Sequence, residues 1–347
     1  MTSKLKHKPQ VWKLAVDLGL DAAGDPLVQI VSFVRKKVLK IAKKYGCKSL
    51  GDLLIATAAE VDTVFLETRS SAQLESIKEE YLSKGEIGFA TLHKHLQNDD
   101  FGVTLKRLNR QAWEPQFVSI IDCRGDKAFR SYFTKWHELA HLLTLTSQMR
   151  LIFRRSHSSA SLKDPEESVM DIIAGEVGFL SDFLSREPSD EISFETIQFI
   201  REQSCPDASF QSSLIGIVKG LPQPCILVRA ELGLRKAETA ALEQLSLVTC
   251  TVAAADPPLR AVQVTVNRAA RDLGILFHKN WRVPENSAIY EAHRRHLYLE
   301  QRENLSWWRT SGGGQLDDCA VLVRAKPTPN GVVALIIPIQ TSDRHIN

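Results

Sequence analysis

Trp136-His137-Glu138-Leu139-Ala140-His141-Leu142-Leu143 is the stretch on which the reading of this chain turns. It contains the pattern HExxH. On a helix, residues four apart project from one face, one turn apart, which is the spacing two ligands of a tetrahedral zinc require. Glu138 falls beside the histidines without being a ligand, where it can take a proton from water that zinc has made acidic. Phe129, Phe133, Trp136, Ala140 and Leu143 recur at intervals of three and four, with Lys127, Arg130 and Lys135 on other faces, so the spacing predicts an amphipathic helix. Just before it, Phe117-Val118-Ser119-Ile120-Ile121 reads as a strand closed by Asp122 and a turn around Gly125. The competing reading is an ordinary helix whose histidines are solvated or satisfied in the core.

A catalytic zinc site needs a third protein ligand and keeps a fourth position for water. The elongated form HExxHxxGxxH would require Gly at 144 and His at 147, but this chain has Thr144 and Ser147. A polar loop from Arg154 to Lys163 follows, and then a helix with a well-marked start: Asp164 as cap, Pro165 at the first position, Glu166 and Glu167 in the first turn. Glu167, Asp171, Ala174 and Gly178 share one face of that helix, acidic first and small afterwards. First-turn acids alone favour a helix dipole. With an HExxH on the preceding helix, the metal reading overtakes that one, and Glu167 leads because it shares its face with Asp171 and the small residues.

The two helices together, Phe133-Thr134-Lys135-Trp136-His137-Glu138-Leu139-Ala140-His141 and then Glu167, Asp171, Ala174 and Glu176, resemble the ImmA/IrrE family of bacterial metallopeptidases. The helical lead-in and the strands before the first motif are also similar. The likeness covers Leu50 to Leu184. It implies a zincin-like α+β domain in which His137, His141 and Glu167 hold Zn2+ and Glu138 is the catalytic base. It also implies a protein substrate, typically a transcriptional repressor cut in a stress or mobile-element response. The second motif departs from the usual family form, with Met170 where Ala is common and Ile173 where Phe is common, so Glu166 and Asp171 remain alternatives to Glu167.

Composition bounds the rest. A chain of 347 residues, 44% hydrophobic and 24% charged, is long enough for two globular domains. A net charge of +3 is too weak to imply nucleic acid without a concentrated patch. Cys47, Cys123, Cys205, Cys225, Cys250 and Cys319 form no CxxC pair, which argues against a disulfide framework and a cysteine zinc site. The segment from Met1 to Gln10 is lysine-rich with no apolar run after it, and no stretch approaches the ~18 apolar residues of a membrane span. The expectation is a cytoplasmic protein with no membrane association; the sequence leaves the oligomeric state open.

Helices are expected over Pro26 to Tyr45, Ser49 to Val61, Ser71 to Lys84 and Phe89 to Leu96, and strands at Thr63 to Glu67 and Gly102 to Leu108. The first helix carries Arg35, Lys36, Lys37, Lys40, Lys43 and Lys44 opposite its apolar face, read as a solvated side in preference to a nucleic-acid contact. A helix over Phe194 to Gln203 precedes Gly220-Leu221-Pro222-Gln223-Pro224, which marks the expected boundary between a peptidase domain, 1–220, and a smaller α+β accessory domain, 221–347. In the latter, Cys225 to Ala230 and Ala261 to Val266 read as strands, with a break at Ala255 to Pro258. Cys319 to Arg324 with Val332 to Ile339 reads as a hairpin, and helices are expected at Asn267 to Leu273 and Ser287 to Glu303. His93 with His95 and His293 with His296 read as surface residues, and Trp307-Trp308 as divided between core and rim.

The function expected is that of a zinc endopeptidase, with Phe117, Val118, Ser119, Ile120 and Ile121 receiving the substrate backbone by strand addition. Tyr132, Arg154 and His157 are candidates for stabilising the oxyanion. The alternative is a regulatory binding protein that sequesters a partner or contacts DNA without turnover.

Overall fold

Asp25, Pro26 and Gly46 delimit the first long helix of the computed structural model as their residue types dictate. The Asp25 side chain accepts from the Leu27 N–H, Pro26 fills the first helical position, and Gly46 takes a left-handed φ of 64° that closes the last turn. The structure describes residues 5, 7–21, 24–97, 100–145, 152–156, 164–184, 191–235, 238–239, 257–310 and 312–339, with 152–156 by backbone alone. Ser147, His157 and Cys250, most of the lysine-rich start and of the 154–163 loop, and part of the break at 255–258 lie outside the described residues.

Two units emerge from the contacts, one of residues 1–186 with 198–216 and one of 187–197 with 217–347. The division is therefore not a single cut near 220. The first unit begins with α1 (Pro9–Asp17), α2 (Pro26–Tyr45) and α3 (Leu50–Glu60), the last opened by a capping box between Ser49 and Asp52. Then follow β1 (Thr63–Thr68), α4 (Ser71–Ser83), a 3-10 turn (Ile87–Thr91) and the short α5 (Leu92–His95). After β2 (Asp100–Lys106) and β3 (Phe117–Asp122), a second 3-10 turn (Gly125–Arg130) leads into α6 (Ser131–Leu143). The strand β4 (Ile152–Ser156) and helix α7 (Pro165–Val177) complete the part that carries the motifs.

The sheet order is β1-β3-β2-β4, with β1 and β3 parallel and the other pairs antiparallel. Alternation assigns its two faces. Val64, Leu66, Val103, Leu105, Val118 and Ile120 form one face and pack against Leu74, Tyr81, Phe89 and Leu92 of α4, the turn and α5. Fully buried aliphatics of this kind each stabilise the fold by about 1.5–3 kcal/mol. The opposite face, Thr63, Phe65, Glu67, Gly102, Thr104, Phe117 and Ser119, meets α6: Lys135 pairs with Glu67 at 2.7 Å, Phe117 packs on Leu142, and Thr104 reaches Glu138.

This order corrects one expectation. The strand Phe117–Ile121 is interior, hydrogen-bonded by β1 along one side and by β2 along the other, so it has no free edge to offer an added strand. Among the described residues the edges are β1 and β4.

The basic side of α2 also differs from a plain solvated face. Arg35 pairs with Glu176 at 2.9 Å and Asp182 at 2.8 Å, and the Lys37 ammonium donates to the Leu143 carbonyl at 3.1 Å. A cation on the last carbonyls of α6 complements that helix's negative end. Phe129 departs from the pattern as well, being 68% exposed in the turn that precedes α6.

Helices α8 (Phe194–Ser204) and α9 (Phe210–Gly220) follow. The second unit holds β5 (Ile226–Leu232), β6 (Leu259–Val266), α10 (Arg268–Asp272), α11 (Ala288–Arg295), β7 (Leu299–Asn304), β8 (Ala320–Thr328) and β9 (Gly331–Pro338). Its antiparallel sheet runs β6-β5-β9-β8-β7, and Trp308 packs edge-on against Phe277 in the core while Trp307 is half-buried. The helix expected from Ser287 to Glu303 ends earlier: His296 turns left-handed at φ 54°, and Leu299–Asn304 is a strand. That strand lies at a sheet edge with charged residues exposed, which hides it from a search for apolar alternation. The chain is mixed α and β with two sheets, and no helix among the described residues is long and apolar enough to cross a membrane.

Candidate metal centre

Helix α6 is buried nearly all round: Trp136 through Leu143 are all below a tenth exposed, the polar His137, Glu138 and His141 included. Polar groups in such surroundings are costly unless they find partners. Those partners come from α7 and β2.

Asp164 caps α7 by accepting the Glu166 N–H at 2.9 Å, which sets Glu167 in the first turn facing α6. The close approach of the two helices depends on Gly178. A Cβ there would lie 2.8 Å from Trp136 Cδ1 and 2.7 Å from the Ala174 carbonyl, and the Tyr132 hydroxyl donates to the Gly178 carbonyl at 2.6 Å. Gly178→Ala is accordingly expected to destabilise the protein by about 1–3 kcal/mol through overpacking. A denaturant midpoint equal to wild type would contradict this contact.

Three donors converge. His137 Nε2 lies 3.0 Å from Glu167 Oε2, His141 Nε2 lies 3.3 Å from Glu167 Oε1, and the two Nε2 atoms are 3.2 Å apart. Donor atoms of the three residues all fall within 4.8 Å of one another, a group that can hold a metal ion. On the far side of its ring, His137 Nδ1 meets Asp171 Oδ1 at 3.0 Å. An Nδ1–H donated to Asp171 leaves Nε2 as a lone pair, the tautomer a ligand needs. Glu166 is not in this group of three.

Whether these residues fit zinc is tested by their spacing and charge. Tetrahedral arms of about 2.0–2.1 Å place ligand atoms roughly 3.3–3.4 Å apart, close to the separations seen here. Without an ion, the 3.0 Å contact is one that a protonated His137 Nε2 makes by donating to the Glu167 carboxylate. Burial alone would push Glu167 up, but hydrogen bonds and charge from His137 and His141 outweigh it and hold the carboxyl at about 2. The donor set, two imidazoles and a carboxylate, is one zinc takes.

Glu138 stands apart from the three. Its Oε2 accepts from Thr104 Oγ1 at 2.6 Å, while Oε1, wholly buried, has no partner among the described residues. Burial raises its pKa, countered by the charges of His137 and His141 and the Thr104 hydrogen bond. Gly102 makes room for it, since a Cβ there would lie 3.0 Å from Glu138 Oε1 and 2.7 Å from Thr134 Cγ2.

Of the oxyanion candidates, Tyr132 is removed: its hydroxyl is committed to Gly178 and buried, and desolvation drives its pKa upward. Arg154 lies in β4, described by backbone alone. In the sequence, Gly102 and Thr104 do not stand out as site residues, and Ser119 reads only as substrate-binding backbone. The signal for them was a small residue and a hydroxyl two apart on one strand face. No protein-family model matches the chain, and a search of curated proteins finds no match.

Proposed function

We propose that the chain is a zinc-dependent endopeptidase of the ImmA/IrrE type, with a zincin-like first unit, acting in the cytoplasm on one or a few regulatory proteins. The observation that carries this reading is the convergence of His137, His141 and Glu167 beside Glu138, whose Oε1 is buried and without a partner among the described residues. A structural histidine pair has no use for a glutamate placed in this way.

His137 Nε2, His141 Nε2 and Glu167 hold the ion, and Asp171 fixes the His137 ring through Nδ1. When bound, zinc supplies Lewis acidity toward a carbonyl oxygen and toward water. Glu138 accepts the proton of the attacking water on Oε1 and passes it to the leaving amine, so one carboxylate serves first as base and then as acid. The substrate backbone joins the sheet at β4, the edge beside β2, whose Gly102 and Thr104 adjoin Glu138. The resemblance to the family supplies the substrate class, a helix-turn-helix repressor or similar regulator. The second unit selects it.

The test is incubation with a helix-turn-helix protein encoded beside this one. Discrete fragments are expected, lost with a zinc chelator and restored by added zinc. A stable, uncleaved complex under every inducing condition overturns turnover and leaves partner sequestration.

A further inference from the structure

Beneath Glu138 three hydroxyls run across three adjacent strands. Thr104 Oγ1 of β2 donates to Glu138 Oε2 at 2.6 Å, Ser119 Oγ of β3 lies 2.7 Å from Thr104 Oγ1, and Thr63 Oγ1 of β1 lies 3.2 Å from Ser119 Oγ. Thr104 and Ser119 are directly opposite in the antiparallel register, and all three hydroxyl residues are buried.

Each hydroxyl has one proton, which orders the chain. Thr104 spends its proton on Glu138, so the contact with Ser119 requires Ser119 to donate. Ser119 is then an acceptor toward Thr63, with the Phe117 carbonyl, 3.3 Å from Thr63 Oγ1, as the competing acceptor for that last proton. The Thr104 and Ser119 O–H groups therefore both point toward Glu138, and hydrogen bonds aligned in this way polarise one another. Cross-strand Thr–Ser pairs are ordinary sheet contacts. This one ends on a buried carboxylate whose other oxygen is unpartnered among the described residues, and Gly102, two residues from Thr104 on the same face, leaves that oxygen its space.

We infer that Thr104, held by Ser119 and Thr63, is a positioning residue that pins Glu138 Oε2 to the sheet and so reserves Oε1 for the proton moved in the reaction. The inference rests on the metallopeptidase reading above. With Oε2 turned to the Thr104 hydroxyl, Oε1 is the oxygen left without a partner among the described residues. Without Thr104's hydroxyl, the carboxylate is free to turn about its terminal torsion, which has no sharp preferred angle.

The experiment needs no protein substrate. The probe is acetohydroxamate, which chelates through both oxygens and hydrogen-bonds to a correctly placed glutamate, followed by the visible spectrum of the cobalt-substituted full chain. Thr104→Val keeps the shape and β-branching and removes the hydroxyl. It is expected to keep one cobalt per chain and to bind acetohydroxamate about tenfold more weakly, the size of a lost hydrogen bond to a charged group. Thr104→Ser restores the affinity, which a packing role would not produce. Ser119→Ala shifts it in the same direction by a smaller factor and serves in place of Thr104→Val if that variant does not fold. Cobalt-loaded Thr104→Val, or Ser119→Ala in its place, that binds acetohydroxamate as tightly as wild type overturns the inference alone. Wild type that takes up no cobalt overturns the metal reading and the inference with it.

Discussion

Glu138→Gln is expected to retain zinc and to lose cleavage by a factor of about 10²–10⁴, the usual worth of a positioned general base. The amide is nearly the same size as the carboxylate and keeps an oxygen to accept from Thr104, so the fold and the three ligand residues are undisturbed. What it lacks is a basic oxygen in place of Oε1. A matched pair of measurements, zinc per chain and fragment yield from the partner protein, separates this from a folding defect. Cleavage at the wild-type rate with zinc in place would remove Glu138 from the role given to it.

The second large effect is on the metal. His141→Ala deletes one of three protein donors and leaves His137 Nε2 and Glu167 facing each other across a gap. Two donors and water hold zinc far less well than three, and the metal-free protein keeps a carboxylate that is four-fifths buried and short of one histidine. Metal analysis after dialysis is therefore expected to find less than stoichiometric zinc in His141→Ala and one ion per chain in wild type. Full occupancy in the variant would mean that the ion sits elsewhere. Glu138→Gln and His141→Ala thus fail in different ways: one keeps the metal and loses turnover, the other loses both.

What could be read from sequence follows the range of the forces involved. The helix Pro26–Tyr45 matches its expected limits because Asp25, Pro26 and Gly46 act within a turn of themselves. His137, Glu138 and His141 share one helix, and Glu167 follows a cap with an unambiguous start, so their spacing is local too. Thr104 is different. It meets Glu138 across 34 residues only because β2 and β3 pair in one register, and register is a property of the assembled sheet. The same holds for Phe117–Ile121, whose composition marks a strand but carries no sign of being flanked on both sides. The sequence pattern does not mark helix α9. Gly216 weakens its helical signal, and the reason for a glycine there is Phe179, whose ring would lie 2.1 Å from a Cβ at that position.

The ion pair between Arg35 and Glu176 spans 141 residues of chain, and the bond from Lys37 to the Leu143 carbonyl spans 106. At roughly 5–20 residues per second, a ribosome takes about 7–28 s to pass from the first partner of the ion pair to the second. For that interval α2 has left the ribosome without the helices it braces. The histidine helix is made before Glu167 exists to complete the trio of donors. A nascent chain therefore cannot assemble the three-donor group until α7 has been made.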